Sequence, residues 1–219
     1  MNACQPIELA GTTLWLLAEK AIYWPAQQAL LVADIHFGKA ATYRRLGQPV
    51  PHGTTDANLR QLDDLLARYP SRRLIFLGDF LHAPESHAPA TLVRLAEWRT
   101  RHPQLAVTLI RGNHDRRAGD PPAELAIEVV SEPLLLGPFA LQHEPRPHPT
   151  HPVLAGHLHP AFALRGRGRQ RLRLPCFCIG ERLSLLPAFG HFTGNMPVSA
   201  EERWQIYLVA EGEVWPLAR

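Results

Sequence analysis

Five short stretches carry the carboxylates, amides and imidazoles that hold divalent cations: Asp34-Ile35-His36, Gly78-Asp79-Phe80-Leu81-His82, Gly112-Asn113-His114-Asp115, His143, and Gly156-His157-Leu158-His159. A carboxylate has two oxygens, so Asp79 can bridge two cations where an imidazole cannot. Asn113 offers a neutral carbonyl oxygen, His114 a titratable proton, and Asp115 a carboxylate expected to orient that imidazole. Taken singly, each stretch has a plainer reading: chance spacing for Asp34 and His36, a helix cap for Asp79, a turn for residues 112–115, a structural histidine for His143. Taken in order, they supply Asp34, Asp79, Asn113, His36, His143, His157 and His159, enough ligands for two metal sites sharing Asp79.

Such side chains act together only if the chain delivers them to one place. Each stretch follows or ends a short apolar run ("ALLVADIH", "RLIFLGDF", "AVTLIRGNHD", "FALQHE", "PVLAGHLH") that lacks helical periodicity and reads as a buried strand. The chemistry then lies at strand C-terminal ends, with Asp34 and His36, and His157 and His159, leaving the same face of their strands. Between the first three runs, Leu59, Leu62 and Leu66, then Leu92, Leu95 and Trp98, recur at helical spacing. Thr55 reads as the first helix's N-cap, and Pro70 and Pro103 lie just beyond the two helices. Strand, helix, strand, helix, strand predicts a partly parallel sheet covered by helices. After Pro121-Pro122 the pattern changes to short strands and turns, and the expected architecture is α/β: two packed mixed sheets with helices outside, in a single domain over 1–219.

Composition narrows the classes. The chain has 219 residues, 46% of them apolar, enough for a sizeable core. No window approaches the roughly 20 apolar residues of a membrane span, and the first twenty residues do not read as a secretory signal, so a soluble, cytoplasmic protein is expected. Cys4, Cys176 and Cys178 make no disulfide framework, and the last two should share one side of a strand as packing. A formal charge of +3 permits an anionic partner without requiring one. Of the twelve histidines, His52, His87, His102, His148 and His151 sit in polar or Pro-rich surroundings and read as exposed.

The ordered series D-x-H, G-D-x-x-H, G-N-H-D, H and G-H-x-H, over residues 34–159, resembles the calcineurin-type metallophosphoesterases. "HFGKAATYRRLGQPVP" (36–51) and "LPCFCIGERLSLLPAFGHFTGNMP" (174–197) further resemble the bacterial ligase-associated DNA damage response endonucleases. The resemblance implies a four-layer sandwich with a binuclear centre. Asp34, His36 and His159 would hold one metal, and Asn113, His143 and His157 the other, with Asp79 between them. His114 would be the catalytic histidine. Many relatives have Asp or Asn where this chain has His82, which leaves His82 as a substrate contact, a supporting group, or a residue with no part in the site. Manganese is the first expectation for the metal, with iron, zinc or cobalt as alternatives suited to mixed nitrogen and oxygen ligands.

The substrate is less legible. Two divalent cations outweigh two aspartates, so the centre stays positive and attracts a phosphate oxygen. Lys39, Arg44 and Arg45 follow the first metal block closely and are candidate substrate contacts. Arg165, Arg167, Arg169, Arg171 and Arg173 recur at every second position, a basic stripe on a regular strand, but intervening glycines point to a hairpin that would divide it. The resemblance implies a phosphodiesterase or endonuclease acting on DNA, whose pathway includes an ATP-dependent DNA ligase and a helicase. A phosphodiesterase or phosphatase for a small ester or cyclic nucleotide is the alternative. A non-enzymatic module on the same fold would not need the full ligand set present here.

Overall fold

The computed structural model describes residues 3–45, 47, 48, 50, 53–168, 170–191, 193–199 and 204–218; His52 and Arg169 lie outside them. The first sheet runs in the order β1 (Cys4–Leu9), β2 (Thr12–Leu17), β3 (Ala21–Trp24), β4 (Ala29–Val32), β5 (Arg73–Leu77), β6 (Ala106–Ile110) and β7 (Ile127–Val130). Its first four strands pair antiparallel and β4 to β7 pair parallel. The parallel part is connected by α1 (Lys39–Arg45), α2 (Thr54–Arg68), α3 (Pro89–Arg101) and α4 (Asn113–Ala118).

Alternation along the central strands divides the core. Leu30, Val32, Leu74, Phe76, Val107 and Leu109 face Leu59, Leu62 and Leu65 of α2 and Leu95 and Trp98 of α3. Their neighbours Leu31, Ile75, Leu77 and Ile110 face Phe139, Leu141, Leu154 and Phe177 of the second sheet. A period of two thus gives the first sheet a helix-covered face and a sheet-covered face.

The second sheet contains β8 (Leu134–Leu136), β9 (Phe139–Gln142), β10 (Val153–Ala155), β11 (Pro160–Arg165), β12 (Arg171–Ile179), β13 (Leu183–Leu185), β14 (Met196–Val198), β15 (Gln205–Ala210) and β16 (Glu213–Pro216). It is mixed: β10 pairs parallel with β9 and β13, whereas β12 pairs antiparallel with β11, β13 and β15. A third apolar cluster, which includes Cys176 and Cys178 with their sulfurs 4.0 Å apart, closes this half. The α/β sandwich of two mixed sheets with flanking helices agrees with the sequence.

Three local expectations are corrected. Gly53, at φ 87°, takes the N-cap position of α2, and Thr54 and Thr55 are already helical; glycine adopts this left-handed backbone without the steric cost a threonine would meet there. Residues 4–24, given no strands from sequence, form three. His87, His102, His148 and His151 are half-buried, His102 through a 2.7 Å contact with Asp63. Among the described residues no helix is long and apolar enough to cross a membrane.

Candidate metal centre

Every expected ligand leaves the end of a parallel strand. Asp34 and His36 follow β4, Asp79 follows β5, Asn113 and His114 follow β6, His143 follows β9, and His157 and His159 follow β10. They do not project from the strands themselves, as the sequence suggested. Asp34, His36, Asp79, His157 and His159 all have positive φ, between 49° and 71°. Non-glycine residues seldom hold that conformation, which costs on the order of 1–3 kcal/mol each and persists only where surroundings fix it. Here cross-linking between loops does so: the His36 amide donates to the Asp79 carbonyl at 2.9 Å, and the His157 amide to Asp34 Oδ2 at 2.8 Å.

Glycines in two of the motifs have a steric reason. A Cβ on Gly112 would sit 2.4 Å from Asp79 Oδ1, and one on Gly156 would sit 2.6 Å from Asp34 Oδ2. Each glycine admits a carboxylate delivered by a different strand.

The side chains converge in two groups. Asp34, His36 and His159 offer ligand atoms within 4.8 Å of one another, as do Asp79, His143 and His157. Asn113 Oδ1 joins the second group, 2.8 Å from His143 Nε2. Asp79 faces both: its Oδ2 lies 3.6 Å from His36 Nε2 and its Oδ1 lies 3.4 Å from His143 Nε2.

His143 donates from Nδ1 to the Leu77 carbonyl at 3.0 Å, and His159 from Nδ1 to the Gly194 carbonyl at 2.9 Å, so each neutral ring turns a bare Nε2 inward. That of His143 lies between Asn113 Oδ1 at 2.8 Å and His157 Nδ1 at 3.0 Å, so these three atoms converge on one point. Among the described residues, Asp34 Oδ1, His36 Nε2 and His159 Nε2 are buried without a hydrogen-bond partner. Buried acceptors facing one another are costly unless a cation completes them. The residues therefore fit two divalent ions.

Burial lowers the His36 imidazole well below the usual range, helped by the Lys39 charge, and burial with His143 lowers His157. Burial also pulls on His159, but its contact with Asp34 outweighs that and raises it. Burial raises Asp79, with Asp34's charge adding to it and His143 opposing.

Beside the two groups stands a third set, His36, His82 and His114. His82 Nδ1 lies 3.3 Å from His36 Nδ1, and its ring stacks on that of His114 at 4.8 Å. Burial, then the charge of Lys39, brings His82 down to about 4. Lys39 is itself buried, and the charges of Asp79 and Asp34 oppose the lowering that burial imposes on its amine. Arg44 and Arg45 close α1 about 8–9 Å further along its axis. Arg45 is exposed, 4.0 Å from Glu85, at the rim.

The expectation that Asp115 orients His114 is corrected. Its carboxylate is fully buried and accepts from the amides of Leu81 at 3.0 Å and Gly112 at 2.9 Å, with both oxygens engaged. His114 is held instead through Nδ1, which donates to the His82 carbonyl at 2.7 Å. Sequence reasoning also missed Glu132, whose Oε2 accepts from the amides of His143 and Glu144 at 2.8 and 3.0 Å. No motif marks a carboxylate whose partners are main-chain amides.

The basic stripe is divided between strands as the glycines implied, yet pairing restores part of it. Arg165 on β11 lies directly opposite Arg171 on β12, with Arg173 two residues on.

Seven side chains of metal-binding chemistry, gathered beside strand ends of a two-sheet sandwich, point to a class. A family model described as calcineurin-like phosphoesterase matches residues 28–148, and the chain belongs to that family, the metal-dependent phosphoesterases. Among solved structures it is similar to the Pseudomonas putida nuclease MPE, at 60% identity and a TM-score of 0.89, covering 98% of this chain and all of that one. No curated protein sequence matches it.

Proposed function

We propose that this phosphoesterase is a binuclear phosphodiesterase that cuts a nucleic-acid backbone, with DNA as the substrate. The observation that carries it is Asp79, which turns one oxygen toward each of two ligand groups. The similar Pseudomonas putida protein is a nuclease, which supports a polynucleotide over a small ester. Residues 1–219 act as one domain, since the core between the sheets draws on both halves of the chain. Manganese is the proposed metal, and the resemblance to ligase-associated enzymes supports a cytoplasmic repair role beside an ATP-dependent DNA ligase and a helicase.

Asp34, His36 and His159 would hold one ion, and Asn113, His143 and His157 the other, with Asp79 shared. When bound, such ions polarise a phosphate oxygen and lower the pKa of an adjacent water. The neutral Asn113 and imidazoles leave the centre positive. Lys39 adds a buried positive charge beside Asp34 and Asp79. His114, tethered through Nδ1, presents Nε2 to hold a proton for the leaving oxygen. Asp115 fixes the start of α4 from beneath.

Metal-loaded protein incubated with supercoiled, single-stranded and flap DNA, with Asp79→Asn as the blank, tests this. Metal-dependent nicking or trimming by the wild type alone is expected. Intact DNA beside turnover of bis-p-nitrophenyl phosphate would favour the small-ester reading, and identical behaviour of wild type and blank would remove the assignment.

A further inference from the structure

The hairpin of β11 and β12 has two unlike faces. Residues directly opposite on antiparallel strands share a face, so Phe162, Leu164, Leu172 and Leu174 form one side, and Arg165, Arg171 and Arg173, with Ala163, form the other. Phe162, Leu164 and Leu174 pack against the third apolar cluster, which turns the arginines to solvent. Among the described residues, other strands support only the root: β14 pairs with Pro160–Phe162, β15 with Cys176–Ile179, and β13 with Cys178. The outer part, bearing the arginines, is a two-stranded ribbon.

A fold has little reason to build such a ribbon. Two-stranded ribbons are marginal alone, and like charges directly opposite, as Arg165 and Arg171 are, destabilise them further. Among the described residues, Arg165, Arg167, Arg171 and Arg173 have no carboxylate within ion-pair distance, whereas Arg68, Arg94, Arg101, Arg111, Arg116 and Arg146 each do. Among the described residues no carboxylate offsets the repulsion. A polyanion would compensate it.

β11 begins at Pro160, immediately after His159, so it leads from the candidate metal centre to Arg165, about 17 Å away at ~3.3–3.4 Å per residue. Along one strand of a duplex that distance holds about five phosphates. We infer that the hairpin is a backbone-binding arm: Arg165, Arg171 and Arg173 grip phosphates of the polynucleotide several nucleotides from the bond being cut. This rests on the nucleic-acid reading above. A small phosphodiester held at the metals would not reach the arm.

The test combines Arg165→Gln, Arg171→Gln and Arg173→Gln in the metal-loaded protein, with the three Arg→Lys changes as the charge-conserving counterpart. Binding to a fluorescent single-stranded oligonucleotide is measured across salt concentrations. The glutamine variant should lower the slope of log K against log salt by about two, since three phosphate contacts at ~0.7 each are lost, and the lysine variant should keep it. Turnover of bis-p-nitrophenyl phosphate should stay within about twofold of wild type, and the melting temperature should hold or rise as the repulsion is relieved. A wild-type slope in the glutamine variant overturns the arm while leaving the nuclease reading intact. A wild type that neither binds nor cuts DNA overturns that reading and the arm with it.

Discussion

His114 donates its Nδ1 proton to the main-chain carbonyl of His82 at 2.7 Å, and this single bond decides which nitrogen can do chemistry. With Nδ1 committed, Nε2 carries a proton only in the imidazolium, so the ring can act as an acid there and as a neutral acceptor afterwards. His114→Ala should lower DNA cleavage by about 10²–10⁴-fold, the range of general acid help. The bound metal should be unchanged, because His114 belongs to neither of the two principal ligand groups. Metal analysis alongside cleavage rates checks this, and joint loss of metal and activity would reassign His114 as a ligand.

Asp79 connects the two groups, so its removal should be felt in both. Asp79→Asn keeps the size and an oxygen for one side but loses the charge and the second oxygen. Metal affinity should fall more than about tenfold at both positions, whereas His159→Ala should empty only the position built on Asp34 and His36. Elemental analysis of dialysed protein separates these outcomes. Equal stoichiometry in the two variants would mean that Asp79 does not bridge.

The convergence of the candidate ligands could be read from sequence because metal chemistry limits residue types and because each block sits just beyond a strand, where local order survives into space. Asp34, Asp79 and His159 needed no knowledge of the loops between them. What failed was finer. The left-handed backbone at Asp34, His36, His157 and His159 depends on hydrogen bonds from distant loops, so strand geometry gave the right neighbours for the wrong reason. Asp115 and Glu132 bind main-chain amides, which every residue offers and no motif reports. The first three strands escaped because "QPIEL" and "TTLWLL" have only partial alternation, their order coming from pairing with each other and with β4.

Asp115 should behave as a structural carboxylate. Its oxygens join the loop after β5, through Leu81, to the turn before α4, through Gly112. Burial raises its pKa, and the amide hydrogen bonds oppose that rise. Asp115→Asn keeps an acceptor for one amide but turns an NH2 group toward the other, leaving a buried donor without a partner. A loss of about 2–3 kcal/mol in folding stability is expected, measured by urea denaturation. A variant of full stability that is inactive would restore a direct catalytic part for Asp115.

Lys20 offers a pH test remote from the ligands. Its amine donates to the Phe189 carbonyl at 2.8 Å, and the following amides continue the chain of contacts, Phe189 to the Ala33 carbonyl and Gly190 to that of Asp34. Burial lowers the Lys20 ammonium from 10.5 to about 8, and its charge, after burial, also lowers His191 nearby. A lysine whose pKa is lower folded than unfolded binds more protons when unfolded between those two values, so its contribution to stability rises as pH climbs from about 8 toward 10.5. Lys20→Met has no such group, and the wild-type melting temperature should gain on that of the variant across this window. Tyr69 and Tyr207, both raised by burial, act in both proteins and cancel in the difference. Melting curves that run parallel over the window would show that the Lys20 amine keeps its ordinary affinity for protons.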